Sequence, residues 1–432
     1  MSEPVTVGTR QKGNCRKKDM KTKMEIQLPE RVNYIIECLE KNGYEAYAVG
    51  GCVRDSLLGK EPTDWDICTS ALPEETERVF SGERIIETGL QHGTVTVLID
   101  RIGYEVTTFR TESGYSDFRR PDSVSFVKNV AEDLKRRDFT VNAMAYNKKD
   151  GLIDIYGGRR DLKNRLIKCV GEPHERFCED ALRIMRAVRF GGVLGFDIET
   201  KTAEAVRNDR LLLKNIAAER ISAEFIKLLM SGNPEIIYEY REVIAVFADG
   251  AERLEKSDCM IIGKLPPKKS LRLAFFMNCL YKNSDDVLNT VHNALKKLKL
   301  DNKLTESTKR IIACMKRPLP NSLAQCRFAV SEFGHEAVSD CAIIGMISKA
   351  ETGNAFKEVL RQLDIIERDG LCTEITGLDI NGNDLMNIGI TDGKQIGMIL
   401  KLVLKEVIEE NLKNEKSKIL SYVAEIQNKD AP

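Results

Sequence analysis

At 432 residues the chain is too long for one ordinary hydrophobic core, and its 42% hydrophobic and 31% charged content is that of a globular protein. Formal net charge is +0, so no global field draws it to nucleic acid or a membrane surface, and any such binding is local. The 12 Cys include no CxxC pair and the four His are scattered, which excludes common zinc patterns and a histidine metal cluster. No apolar run reaches the roughly 18 residues a membrane-spanning helix needs. Reduced, mostly core-filling thiols and no secretory signal imply a cytoplasmic protein.

Residues 1–24 are polar and basic and read as a disordered tail, with Met24 an alternative start. "PERVNYIIECLEKNG" then reads as an amphipathic helix, with Val32, Ile35, Ile36 and Leu39 at helical spacing and Gly43 as its stop. "EAYAVGG" reads as a strand, "VRDSLLG" as a short helix and "TDWDICTS" as a second strand. "ALPEETERVF" is a helix with Pro73 in its first turn, and "GTVTVLIDRIGYEVTTFR" a hairpin turning at Arg101-Ile102-Gly103. The polar, charged stretch from Thr111 to Arg136 reads as a long loop, followed by strands in "FTVNAMAYN" and "GLIDIYGG". Beyond that, nearly every segment has helical period. The expected class is α+β, with a mixed α/β head at 25–164 and an all-helical remainder. The remainder divides into a neck at 165–232, a body at 233–300 and a tail at 301–432.

Asp64 and Asp66 sit at i and i+2, so on a strand both carboxylates share one face. Two adjacent carboxylates repel unless a cation joins them, and Mg²⁺ takes one or two carboxylates together with substrate phosphates. Gly50 and Gly51 end a strand and open a helix, a place where backbone N–H groups approach phosphate, with Arg54 one turn on. Glu105 lies on a neighbouring predicted strand as a candidate third carboxylate. Taken singly these features are weak, since surface strands carry DxD and turns carry GG. An aspartyl-phosphatase loop of the haloacid dehalogenase type would need an apolar strand before the first aspartate, and "GKEPTDWD" is polar.

Together, "GG" and "DWD" twelve residues further on resemble the signature of the DNA polymerase β-like nucleotidyltransferase superfamily. "RRDFTVNAMAYN" (136–147), "EDALRIMRAVRF" (179–190) and "AERISAEF" (218–225) narrow this. With "GGCVRD" and "DWDICTS" they are similar, in order, to the motifs of class II CCA-adding tRNA nucleotidyltransferases and their poly(A) polymerase relatives. The resemblance implies a polymerase β-like head and template-independent addition of CCA to tRNA from CTP and ATP, with release of pyrophosphate. It implies Mg²⁺ as cofactor, Asp64 and Asp66 as metal ligands, and these two with Glu105 as the catalytic carboxylates. Gly51, Arg54, Arg137, Asp138, Asn142, Asp180, Arg183, Arg186 and Arg189 become candidates for nucleotide binding.

Helical spacing would put Asp180, Arg183 and Arg186 on one slanted stripe. A carboxylate acceptor beside a guanidinium donor matches the amine and ring nitrogen of cytosine or adenine and mismatches uracil or guanine. An i,i+3 ion pair is the ordinary alternative. The segment after Thr111, with Asp117, Arg119 and Arg120, resembles the mobile loop that lets family members switch from C to A. Lys394 and Lys401, near Gly393 and Gly397, are candidates for gripping tRNA phosphates, and a solvated helix face explains them equally well. The expected partners are tRNA, ATP and CTP, with no membrane and no obligate protein partner. The alternatives are an A-adding or poly(A) enzyme, or a non-catalytic RNA-binding protein on a decayed transferase head.

Overall fold

The computed structural model describes residues 25–90, 93–114, 123–349, 351 and 353–429. The tail at 1–24 and the loop residues Asp117, Arg119 and Arg120 lie outside them. The chain divides into two compact units. One holds the described residues up to Thr111 together with Phe126–Arg137 and Val141–Arg159, and the other holds Asp138–Thr140 and the described chain from Arg160 onward, with the described ends of Glu112–Ser125.

The first unit opens with α1 (Glu30–Lys41), which buries Val32, Ile35, Ile36 and Leu39, the four residues its period selects. Gly43 ends it at φ +88°, a left-handed conformation that only glycine adopts without strain. Then follow β1 (Ala46–Val49), α2 (Gly51–Leu57), β2 (Ile67–Thr69), α3 (Pro73–Val79), β3 (Arg84–Gly89), β4 (Thr94–Ile99) and β5 (Ile102–Thr108). The helix α4 (Val130–Lys135) and strands β8 (Ala145–Asn147) and β9 (Gly151–Ile153) complete this unit, whereas β6 (Arg110–Ser113) runs across the division after Thr111 and β7 (Ser123–Phe126) belongs to the second unit up to Ser125. Seven strands form one sheet in the order β3-β4-β5-β2-β1-β8-β9. Every pairing in it is antiparallel except β2 with β5.

Three expectations for this unit are corrected. The hairpin turns at Asp100-Arg101, both at positive φ, with Ile99 opposite Ile102. Two-residue hairpins favour this twist, so Gly103 joins the strand. The 111–136 stretch is not one long loop, because it contains β7 and α4. Asn129 caps α4 by accepting from the Ala131 N–H. Strand β2 is only three residues long, so Asp64 and Asp66 precede it instead of lying within it.

The second unit is mostly helical. Its continuous part begins within α5 (Gly158–Lys163), whose first two residues belong to the first unit, followed by the short strand β10 (Leu166–Ile167). Next come α6 (Pro173–Glu179), α7 (Leu182–Leu194), the strand β11 (Asp197–Ile198), α8 (Thr200–Asn208) and α9 (Ala218–Leu229), with further helices to Lys429. Strands β10 and β11 pair in parallel. Helix α7 buries Ile184, Met185, Ala187 and Val188, and Gly192 allows its close packing, since a Cβ there would lie 2.6 Å from Leu228 Cδ1 of α9.

Candidate active site

The sequence-selected residues fall into two groups, one in each unit. In the first, Asp66 extends the β1–β2 ladder by one bond, its carbonyl accepting from the Val49 N–H at 3.0 Å. Ile67 pairs with Val106, so one step back along the same register Asp66 stands beside Glu105. Asp64 precedes Asp66 by two residues and is close enough to add to the rise of the Asp66 pKa, although neither residue is in the strand. All three carboxylates are exposed.

Surrounding protein desolvates the Asp66 carboxyl and raises its pKa. Arg137 opposes that rise and Asp64 adds to it. A carboxylate that carries its charge at a cost, beside a second one, is a site that favours a cation. Hard oxygen donors without His or Cys fit Mg²⁺ by type, as two carboxylates that leave the remaining positions to substrate and water. Among the described residues no three His, Cys, Asp or Glu side chains form a complete metal cage.

Arg137 is held by Asp133, a residue absent from the sequence-derived candidates. The Asp133 side chain has 0% exposure. Its Oδ2 accepts from Arg137 Nη2 at 3.3 Å, and its Oδ1 accepts from Arg136 Nε at 3.0 Å and Nη2 at 2.8 Å. Oδ1 also lies 3.4 Å from the Arg110 N–H. Burial pushes the Asp133 pKa up, but Arg137, Arg136 and these hydrogen bonds outweigh it and leave the group below its ordinary range. The signal was present in the sequence as a carboxylate three and four residues before a pair of arginines.

Gly50, at φ +83°, leaves room for Arg137: a Cβ there would sit 2.9 Å from Arg137 Nη1. The Gly50 N–H is committed to the Met144 carbonyl at 3.1 Å, so it is not a phosphate donor in this conformation. Gly51 opens α2 and is half-buried. Arg54 is buried, with Nε and Nη2 each 2.9 Å from the Asp55 carboxylate and Nη1 2.6 Å from Asn142 Oδ1. These contacts bind the GG-helix element to the "RRDFTVN" motif.

In the second unit, Arg186 donates from Nε to Asp138 Oδ2 at 2.8 Å, while Asp138 Oδ1 accepts from its neighbour's Phe139 N–H. Arg189 pairs with Glu224 of α9 and lies over the Phe190 ring, its Cζ 3.7 Å from the centroid. Arg186 and Arg189 therefore flank one aromatic ring, the former at 5.3 Å.

The predicted Asp180–Arg183–Arg186 helical stripe is broken at its first member. Asp180 has φ −137° and ψ 101° and lies between α6 and α7, where its Oδ1 accepts from the Leu182 N–H. Its Oδ2 faces Arg220 Nη2 at 3.3 Å. A short acidic side chain that bonds the backbone two residues on competes with the helix, which spacing alone does not reveal. Arg183 donates from Nη1 to Glu179 Oε2 at 2.7 Å and to the Arg176 carbonyl at 3.2 Å. The Asp180 carboxylate is thus engaged with the Leu182 N–H and Arg220, and Arg183 Nη1 with Glu179 and the Arg176 carbonyl, while the Arg183 N–H donates to the Asp180 carbonyl at 3.0 Å.

Lys394 and Lys401 are both exposed on the helix Gly393–Ile408. The start of this helix is capped by Asp392, whose Oδ2 accepts from the Gln395 N–H at 3.0 Å. An acidic cap there takes a first-turn donor and weakens the case for a phosphate at the helix end, leaving the lysines as the cationic groups.

A mixed sheet with adjacent carboxylates beside its parallel β2–β5 pair, and Arg137 opposing their charge, is the arrangement of a nucleotidyltransferase head. The family comparisons agree: residues 46–168 match the poly A polymerase head domain, and residues 274–423 match tRNA nucleotidyltransferase domain 2. The CCA-adding enzyme of Enterococcus faecalis is 38% identical over 403 residues, covering 91% of this chain and 95% of its own. That of Limosilactobacillus fermentum is 37% identical over 404 residues, covering 91% and 96%. Among solved structures, the Bacillus stearothermophilus CCA-adding enzyme in complex with CTP aligns with a TM-score of 0.76 at 31% identity, covering 92% of this chain and 96% of that one. The chain belongs to the CCA-adding enzyme family.

Proposed function

We propose that this chain adds CCA to the 3′ end of tRNA, using CTP and ATP without a nucleic-acid template and releasing pyrophosphate. The observation that carries the chemistry is Asp66 beside Glu105 and within the electrostatic reach of Asp64, with Arg137, anchored by Asp133, opposite Asp66. Asp64 and Asp66 would hold Mg²⁺, which supplies Lewis-acid activation of the tRNA 3′-hydroxyl and neutralisation of the leaving pyrophosphate. Glu105 adds negative charge to the same edge. Arg137, fixed by Asp133, balances that charge and presents a donor to the triphosphate. Gly51 and the Arg54–Asn142 brace hold the GG turn in the conformation that makes this possible.

Base choice is assigned to the second group. Asp180 accepts from an exocyclic amine, and Arg183 donates to the adjacent ring nitrogen, which admits cytosine and adenine. Uracil and guanine would leave both groups unpaired, at a cost of about 1–3 kcal/mol each. The long Arg220–Asp180 contact is one that a base amine can replace. Arg186 with Asp138 and Arg189 with Glu224 form the frame for this reading. The segment with Asp117, Arg119 and Arg120 is assigned to the switch from C to A, and Lys394 and Lys401 to tRNA phosphates. The head, neck, body and tail follow the boundaries given above, and the enzyme acts in the cytoplasm, where its substrate is. No helix among the described residues is long and apolar enough to cross a membrane.

The carboxylate assignment is tested with Asp64→Ala. Incorporation of CTP into tRNA lacking its 3′ end should be lost, with the thermal unfolding midpoint essentially unchanged; retained incorporation would remove Asp64 from the mechanism.

A further inference from the structure

Arg220 holds Asp180 loosely. It lies on α9 one turn before Glu224, so the two side chains leave the same face of that helix. Glu224 takes Arg189, and those two side chains are only 7% and 11% exposed. Arg220 takes Asp180 through a single long contact, Nη2 to Oδ2 at 3.3 Å. Its Nη1 is buried with no hydrogen-bond partner among the described residues. Arg272, on the helix Lys269–Tyr281, shows the contrast. There Nε, Nη1 and Nη2 all donate to backbone carbonyls, those of Leu265, Pro266, Leu229 and Ser231. All these residues belong to the second unit.

A buried guanidinium nitrogen without an acceptor is costly, and an acceptor that arrives with a ligand removes the cost. Position identifies that acceptor. Asp180 Oδ1 is committed to the Leu182 N–H, so Oδ2, the oxygen Arg220 faces, is the one left for a base amine. Arg220 therefore stands beside position 4 of a pyrimidine or position 6 of a purine. Cytosine and adenine carry an amine there. Uracil and guanine carry a carbonyl oxygen, to which a guanidinium readily donates. Arg186 adds positive charge at the same place, since it too acts on Asp180. A site with these arginines and no Asp180 would attract the wrong bases.

We propose that Arg220 is a further specificity-determining residue. Paired with Asp180, it keeps that carboxylate placed to accept an amine, and Asp180 keeps the guanidinium from donating to the carbonyl of uracil or guanine. The inference rests on the reading of Asp180 as acceptor for the base amine. Towards cytosine and adenine Arg220 is a positioning residue, because it acts through Asp180. Rejection of uracil and guanine then has two parts: repulsion by the carboxylate and sequestration of the neighbouring donors.

The test reads kcat/KM for the first addition by the full-length chain, with Mg²⁺, tRNA lacking its 3′ CCA, and labelled CTP or UTP separately. The parent should strongly prefer CTP. Asp180→Ala should lower CTP use and raise UTP use about tenfold or more, because the uracil carbonyl gains Arg220 while only the N–H facing Arg183 stays mismatched. Asp180→Ala/Arg220→Met should return UTP use to the parental level. Asp180→Ala/Arg220→Lys, which keeps a donor, should retain part of the gain. Thermal unfolding midpoints check that each variant is folded. Asp180→Ser, whose hydroxyl can still accept from the Leu182 N–H, takes the place of Asp180→Ala if that variant unfolds. A parent indifferent to CTP and UTP would remove the base reading and this inference with it. A selective parent whose Asp180 variants gain no UTP use, or gain it equally with methionine at position 220, would overturn the role of Arg220 alone.

Discussion

Asp133 gathers the Arg110 backbone and two arginine side chains onto one buried carboxylate. It touches no nucleotide in the proposed mechanism, yet it sets where Arg137 stands relative to Asp66. Asp133→Asn is expected to lower kcat for CTP addition at least about tenfold with a smaller change in tRNA KM, since a charge-assisted hydrogen bond contributes about 1.5–3 kcal/mol. Unchanged kcat would show that Arg137 needs no anchor. The depressed Asp133 pKa also carries a sign for stability. Its contribution is present above the ordinary aspartate range and is lost as pH falls through the lower folded-state value. Urea midpoints should therefore fall on acidification below about pH 4, and less steeply in Asp133→Asn. At Gly50, alanine would meet both the positive φ and the Arg137 guanidinium. We expect a loss of about 2 kcal/mol in chemical denaturation together with reduced incorporation.

Among the elements, legibility followed period and length. Helix α1 was readable because Val32, Ile35, Ile36 and Leu39 repeat with the helix and all are buried. Helix α4 was not, because six residues between charged neighbours carry too little period to stand out from a loop. Its one clear mark is Asn129 at the cap, and Asn129→Ala should destabilise the protein by about 1 kcal/mol, read as a shift in urea midpoint. A shift within error would mean that α4 is held by its tertiary contacts alone. Strand β3 was missed for a related reason, as "RIIETG" begins and ends without the alternation that marks a half-buried strand. The strand assignment of Asp64 and Asp66 failed because β2 is only three residues long, although the Asp66 carbonyl still bonds the Val49 N–H one step beyond the ladder. At Asp180 the same logic failed. Helical spacing was read through a break between α6 and α7, at which the Asp180 side chain accepts from the Leu182 N–H.

At the scale of the whole molecule, a chain of zero net charge must bind a polyanion through local cations. Lys394 and Lys401 are exposed one above the other on a helix whose N-terminus is acidic-capped. Lys394→Ala/Lys401→Ala should weaken tRNA binding and reduce its salt slope by about one to two, leaving CTP binding unchanged. An unaltered salt slope would move the tRNA grip elsewhere. The division of labour between transfer and base choice has a more direct test. The purified chain is incubated with Mg²⁺ and a tRNA lacking its 3′ CCA, with labelled CTP alone, labelled ATP alone, or both, and the products are sized at single-nucleotide resolution. The account predicts two additions with CTP alone, a third only when ATP is also present, no UTP or GTP incorporation, and no product with Asp64→Ala. Failure to take CTP, or a long A-tract from ATP alone, would contradict it.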